Sequence, residues 1–346
     1  MTRTYDMNNN LSTLRLNAEF DPARLKQDLD TAVTSFKSAA QSGGYHDGSW
    51  TGISLRSVNG SYKSTFAITS ASVSDTEVLN HCPYFKEILS SFPFPIGVAR
   101  LLFLPPGKRI GEHKDQGLGW NRGVIRLHIP IVTHPDVIFN IDGENVQWKP
   151  GEFWFGDFCK PHHLHNKSNV TRVHLVIDAM VSDATFDYFS PEISSAIKEK
   201  YQVLLHRELK DIATDTFSNY TGYFCVPGRF IGLPFSLRGV ISERSKKLVA
   251  KVYGLPFDFS FAPINENTFR QLEYELQFGE KHDGGTQADL VEHLSGKRCS
   301  IQLSKTRSFM SSVQAKLQAL GLSSIIFSYK FLASLTQRWK KATGNV

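Results

Sequence analysis

The chain has 346 residues, 41% hydrophobic and 21% charged, enough for a sizeable core in one large or two modest domains. No apolar run reaches membrane-spanning length, the stretch before Leu16 lacks an apolar signal core, and four scattered cysteines without C-x-x-C spacing fit a reducing cytosol; a transmembrane segment, secretion, a disulfide framework and a zinc ribbon are therefore not expected. The net charge of +6 is uneven: from Lys297 to Val346 there are nine Lys or Arg and no Asp or Glu, so the remainder is net acidic and the overall basicity gives no reason to expect nucleic-acid binding.

Residues 1–20 read as a tail leading into a first strand. Asp21-Pro22 reads as N-cap and first helical position, and Leu25, Leu29, Val33 and Phe36 carry the helix to Gly43-Gly44. Strands are predicted over 50–57 and 62–68 around an Asn59-Gly60 turn, with a short helix over 84–92. Gly97 to Leu104 is a strong strand closed by Pro105-Pro106-Gly107. Further strands are predicted near 123–132, 137–141, 145–148, 152–155, 162–166 and 170–179, with turns at Asp142-Gly143 and Lys149-Pro150-Gly151. Many short strands with regular turn signals indicate a sandwich or barrel, read here over 97–180 as a double-stranded β-helix.

After Ser190-Pro191-Glu192 the pattern turns helical, with Ile193, Ile197 and Tyr201 on one stripe. Later helices are expected near 241–253, 266–279, 286–296, 307–320 and 323–341. The division predicted is a β-helix domain over 1–185 and a helical C-terminal domain with a basic tail over 186–346. At 323–341, Ile325, Leu332, Leu335 and Trp339 are compatible with one helical face, the basic residues gathering near its end. The plain reading is a packed terminal helix, since cations suit a helix C-terminus; the sharper one is docking to an acidic partner.

Seven of the twelve histidines lie between 113 and 174. His113-Lys114-Asp115 follows the Pro-Pro-Gly loop, and residues two apart on an extended strand point to one side. Two His and one carboxylate are the facial ligand set of a mononuclear Fe(II) site. Alone, His-x-Asp also describes a solvated loop. The distal histidine is open among His162, His163, His165 and His174. Alternation adds a constraint: Ile125, Leu127, Ile129 and Ile131 share one face of their strand, and Arg126 and His128 the other. Val173, Leu175 and Ile177 likewise oppose Arg172, His174 and Asp178. Either this is an ordinary sheet with one wet face, or the polar face lines an internal cavity for an anion. Arginine suits the second, because its planar fork matches a carboxylate.

Four stretches carry a resemblance: His113-Lys114-Asp115; Arg126-Leu127-His128; Pro150-Gly151-Glu152-Phe153-Trp154-Phe155-Gly156-Asp157; and His162 followed by Asn166 and Arg172. The chain resembles the aspartyl/asparaginyl β-hydroxylase superfamily, and within it the L-proline cis-3-hydroxylase type, over roughly residues 15–180. The resemblance implies a cupin-like jelly roll that acts as an Fe(II)- and 2-oxoglutarate-dependent dioxygenase. It implies hydroxylation of an unactivated carbon of an amino acid or its side chain, with release of succinate and CO2. It implies His113, Asp115 and His162 as metal ligands and catalytic centre. Arg172 is then implied on the far carboxylate of 2-oxoglutarate, assisted by Arg126 and His128. Its partners would be molecular oxygen and an amino acid, free, peptide-bound or carrier-bound; a non-catalytic metal-binding barrel is the alternative. Arg109, Trp120, Arg122 and Asp157 lie near the expected mouth as candidate substrate contacts, each also readable as surface or packing. The segment between Asp115 and Arg126 does not follow the proline enzymes closely.

Overall fold

The computed structural model describes residues 11–41, 45–58, 60–64, 73–206, 217–255, 258–271, 274–279, 286–306 and 314–322. They fall into two units, the first ending at Leu205 and the second beginning at His206. The boundary lies beyond the predicted 185/186, and the reason is packing. The helix over Pro191–Lys200 buries Ile197 in the first core, and the Leu204 N–H donates to the Trp120 carbonyl at 2.9 Å.

The first unit contains β1 (Thr13–Glu19), α1 (Pro22–Ser35), β2 (Ala39–Ala40), β3 (Thr51–Val58), β4 (Val73–Asp75), α2 (Pro83–Ser91), β5 (Ile96–Leu104) and β6 (Arg109–His113). It continues with β7 (Val124–Val132), β8 (Val137–Ile141), β9 (Glu144–Asn145), β10 (Glu152–Gly156), β11 (His162–Asn166), β12 (Arg172–Met180) and α3 (Pro191–Lys200). Asp21 caps α1 as the sequence indicates, its carboxylate accepting from the N–H groups of Ala23 and Arg24. Asp28 of α1 accepts from the Phe85 N–H of α2, joining the two helices. Tyr62 to Ser64 form a turn and not the start of a strand; 65–68 and Asn59 lie outside the described residues.

Two antiparallel sheets make the double-stranded β-helix. The larger runs β1-β10-β7-β12-β5-β3-β2, with β4 beside β3, and the smaller runs β6-β11-β8-β9. The alternation predicted for β7 and β12 is present: Ile125, Leu127, Ile129, Val173, Leu175 and Ile177 are buried in a core shared with α1 and α2. The opposite face carries Arg126, His128, Arg172 and His174 toward the smaller sheet, where Phe139 of β8 meets the rings of His128 and His174. The tight entry to β10 needs Gly151: its φ is +82°, and a Cβ would lie 2.3 Å from the Phe20 carbonyl.

The second unit overturns the helical prediction. It contains β13 (Gly222–Val226), β14 (Leu237–Arg244), β15 (Lys247–Val252), β16 (Asp258–Asn265), β17 (Thr268–Gln271), β18 (Tyr274–Phe278), β19 (Thr286–Glu292) and β20 (Arg298–Leu303). These pair in sequence order, each with the next, as one antiparallel sheet. The stretches expected as helices at 241–253, 266–279 and 286–296 are strands. Their buried positions alternate with period two, as in Thr286, Ala288 and Leu290. The β14–β15 turn was illegible because Ser245 and Lys246, at φ +53° and +57°, make a hairpin turn without glycine or asparagine. The helix found over 314–322 overlaps the expected 307–320 and runs two residues past it. The segment 323–341 and the end of the basic tail lie outside the described residues. Among the described residues no helix is long and apolar enough to cross a membrane.

Candidate active site

His113 ends β6 and His162 begins β11, and the two are cross-strand partners. Asp115 lies two residues beyond, its N–H donating to the Phe158 carbonyl at 2.9 Å. One ligand atom from each of the three lies within 4.8 Å of the others. The His113 Nδ1–H is given to the Gly111 carbonyl at 2.8 Å and the His162 Nδ1–H to the Lys160 carbonyl at 3.0 Å. Each imidazole therefore turns its Nε2 lone pair toward the shared space, as a metal ligand must. Burial pushes both rings toward the neutral form, and with His113 beside it His162 falls to about 4. Burial works against the Asp115 charge, but Arg126 foremost, with His162 and His113, holds its carboxyl below the usual range. Two neutral imidazoles and one carboxylate suit a divalent first-row cation with open positions.

Arg126 behaves differently from the sequence expectation. Its guanidinium bonds Asp115 through Nη1 and Asp178 through Nε and Nη2. Asp178 is its cross-strand neighbour on β12. Despite burial, Asp178 and then Asp115 raise the Arg126 pKa. Its Nε, Nη1 and Nη2 are thus engaged by two carboxylates, and it holds Asp115 in place. Arg100 of β5, which the sequence did not single out, joins the group, donating to Gln41 at 3.1 Å and lying 3.9 Å from Asp178.

Arg172 is the contrasting case. It is 3% exposed, and among the described residues its one polar partner is His174, whose Nδ1 accepts from Nη2 at 2.7 Å. Its guanidinium lies over the Phe139 ring at 5.2 Å. Burial alone pulls its pKa down to about 9. Among the described residues, Arg172 Nε and Trp148 Nε1 are buried donors with no partner. A buried cation beside unpaired donors and no carboxylate is a site for an anionic ligand. His128 stands behind it: 3.2 Å separates its Nδ1 from that of His174, and its ring stacks on Phe158 at 4.8 Å. Burial and then Arg172 hold both histidines well below the usual range, so both are neutral. His128 thus acts through His174. The His162, Asn166, Arg172 spacing also has a local cause. Asn166 is fully buried, donates to the carbonyls of Leu104 and Val170 and accepts from Ser168, which fixes the turn that delivers Arg172.

Among the four candidate substrate contacts, Trp120 belongs to the core. It is 2% exposed and packs on Phe155, Phe186 and Phe189, because the short turn carrying it folds inward. Arg109 is exposed on the outer edge, paired across the ladder with His165. Arg122 is half-buried and lies within electrostatic reach of Cys159. Asp157 is buried and accepts from the Cys159 N–H at 3.3 Å. Sequence reasoning missed Tyr45, whose ring stacks flat on His113 at 3.8 Å and 13° and acts electrostatically on Arg100 and Arg126. It sits in a short loop with no pattern to mark it.

Residues 19–181 match the model of the aspartyl/asparaginyl beta-hydroxylase family. An L-proline cis-4-hydroxylase from Rhizobium meliloti (strain 1021) is 26% identical over 200 residues, covering 56% of this chain and 69% of that protein. That relative is a cis-4 enzyme, where the sequence resemblance pointed to the cis-3 type. Among solved structures, a 2OG-Fe(II) oxygenase family oxidoreductase from Burkholderia pseudomallei is 13% identical, with a TM-score of 0.35 over 49% of this chain and 86% of that one. A Pseudomonas putida prolyl-4-hydroxylase is 9% identical, with a TM-score of 0.33 over 49% and 92%.

Proposed function

We propose, from the premise that residues 19–181 form a domain of the aspartyl/asparaginyl beta-hydroxylase family, that the chain is an Fe(II)- and 2-oxoglutarate-dependent dioxygenase hydroxylating an unactivated carbon of an amino acid or amino-acid side chain. One observation carries the reading: a His-Asp-His triad within 4.8 Å lies in the same double-stranded β-helix as a buried arginine, turned toward the smaller sheet, that has no carboxylate partner among the described residues. His113, Asp115 and His162 would hold the iron, which with bound 2-oxoglutarate supplies oxidative decarboxylation to succinate and CO2 coupled to hydroxylation.

The chain's own groups do the positioning. Arg172 receives the far carboxylate, and His174, backed by His128, fixes the angle of its guanidinium. Arg126 keeps Asp115 ionised and oriented. Phe139, Trp148 and Phe158 wall the cavity and keep it poor in water, which strengthens every charge–charge contact inside it. Tyr45 covers His113. Arg122 lies on the stretch that departs from the proline enzymes, and we assign substrate choice to that stretch.

The test is incubation of the full chain with Fe(II), 2-oxoglutarate and oxygen against free amino acids, beginning with L-proline, and short peptides. The expected result is succinate in step with a product that has gained one oxygen atom. No succinate above background with any member of the panel, from protein that has bound iron, favours a non-catalytic metal-binding barrel.

A further inference from the structure

The second unit is more than a meander. Its first strand returns to its last: Tyr223 and Ser304 exchange both backbone hydrogen bonds, at 2.8 and 2.9 Å. Eight antiparallel strands thereby close into a barrel, the size at which an interior is either filled by side chains or holds one small ligand. One side of every strand faces inward, and the two ends of the interior differ. Toward one end Phe217, Tyr220, Phe269 and Phe278 fill it with ring-to-ring contacts of 4.2 to 5.7 Å. Toward the other end the same inward positions leave a cavity of about 340 Å³, lined among others by Phe224, Leu237, Ile241, Ala250, Phe261 and Ile301.

Three observations argue that this is a built site. Among the lining side chains the Tyr274 hydroxyl is the sole polar group, so water inside would lack partners. At Gly239 a Cβ would lie 2.3 Å from the Lys251 carbonyl of β15 and 2.6 Å from the Phe224 ring, so only glycine lets that strand and that lining ring approach so closely. The cavity end is braced: Gln318 of the 314–322 helix bonds the Arg238 N–H and carbonyl and the Tyr253 carbonyl at 2.7 to 3.0 Å. At about 30 Å³ per water-sized atom the cavity takes roughly eleven heavy atoms. Arg229, exposed on the turn that follows β13, stands in the chain between Val226 and Ile231, which both line the cavity, and lies within electrostatic reach of Cys299. No carboxylate among the described residues pairs with it.

We infer that the second unit is a binding barrel for an anionic amphiphile, with an alkyl chain of about ten carbons in the lumen and its acid group at the mouth near Arg229. This does not rest on the oxygenase reading, and no residue of the metal site takes part.

The test uses the full chain and decanoate, with decanol as the uncharged probe, by calorimetric titration. Saturable binding of one decanoate per chain is expected. Ala250→Trp, which fills the lumen, should abolish it without changing metal binding at the first unit. Ile301→Ala, which enlarges the lumen, should shift preference toward longer acids and keeps the test open if the tryptophan variant fails to fold. Arg229→Gln should weaken decanoate about two- to fivefold and leave decanol unchanged. Absence of binding for both probes in the unaltered chain overturns the inference. So does decanoate affinity that is unmoved in a folded Ala250→Trp protein. Equal losses for both probes in Arg229→Gln overturn the placement of the acid group.

Discussion

Arg172→Met separates the proposed co-substrate site from a merely structural arginine. Burial holds the Arg172 pKa at about 9 against an ordinary 12.5. At 1.36 kcal/mol per pKa unit, keeping it charged costs the ligand-free domain roughly 5 kcal/mol at neutral pH. The sign is that of a base with a depressed folded pKa. The penalty is complete below pH 9 and fades as pH rises from there toward the unfolded value. Methionine removes the charge at similar length and forfeits the hydrogen bond to His174, worth roughly 1.5–3 kcal/mol. His174 keeps its His128 neighbour. The substitution should therefore stabilise the ligand-free first unit by roughly 2–3 kcal/mol.

The same substitution should remove the response to 2-oxoglutarate. Saturating ligand at a hundredfold excess over Kd stabilises a binding protein by about 2.7 kcal/mol, a gain the Arg172→Met protein should lack. Urea unfolding followed by tryptophan fluorescence is the assay, because Trp50, Trp120, Trp148 and Trp154 all lie in the first unit. An Arg172→Met protein that is less stable than the parent, or that 2-oxoglutarate stabilises as strongly, refutes the reasoning.

Further outcomes follow from the same face of the sheet. His162→Ala should lose stoichiometric Fe(II) while keeping the fold, read by metal analysis after gel filtration; retained metal would move the distal ligand elsewhere. Arg126→Met leaves Asp178, 1% exposed, with Arg100 at 3.9 Å as its nearest cation. It should cost roughly 3–5 kcal/mol, and adding Asp178→Asn should recover much of the loss; additive losses would deny the pairing. Burial raises the Asp157 carboxyl above its ordinary value. The folded state therefore binds that proton more tightly and bears a penalty once pH rises through the folded pKa. Asp157→Asn keeps the acceptor for the Cys159 N–H, so its Tm should exceed the parent's at pH 8 and converge with it under acid. A constant difference across pH would exclude the titration.

The metal site was legible because strand geometry and spacing cooperate. His113 and Asp115 lie two apart, and alternation alone sorted Arg126, His128, Arg172 and His174 onto one face. Partners were not legible. Nothing in the sequence says that Asp178, fifty-two residues beyond Arg126, sits opposite it and engages its donors. Tyr45 and Arg100 reach the site through tertiary packing, which leaves no periodic trace. The strands of the second unit are half-polar, which weakens the period-two contrast in the sequence. Turns such as Ser245-Lys246 lack the usual residues, so nothing in the sequence marks where one strand ends and the next begins.

Two buried arginines on neighbouring strands thus have opposite circumstances, and the difference bears on the order of binding. The inter-sheet face holds three arginines, Arg100, Arg126 and Arg172, against two carboxylates, Asp115 and Asp178. By that count the face is net positive before any ligand arrives. A divalent cation alone adds to that excess in a poorly hydrated space, where charges interact strongly. On the proposed reading 2-oxoglutarate, a dianion, would offset it and give Arg172 a carboxylate partner. Metal and co-substrate should therefore each raise the other's affinity, and by linkage the factor must be the same in both directions. Competition titration of the metal with and without 2-oxoglutarate measures it. In Arg172→Met the coupling should shrink, because the excess positive charge and the anion's anchor are removed together. Metal affinity indifferent to 2-oxoglutarate in the unaltered protein would show that the unpaired charge of Arg172 is not what the co-substrate answers.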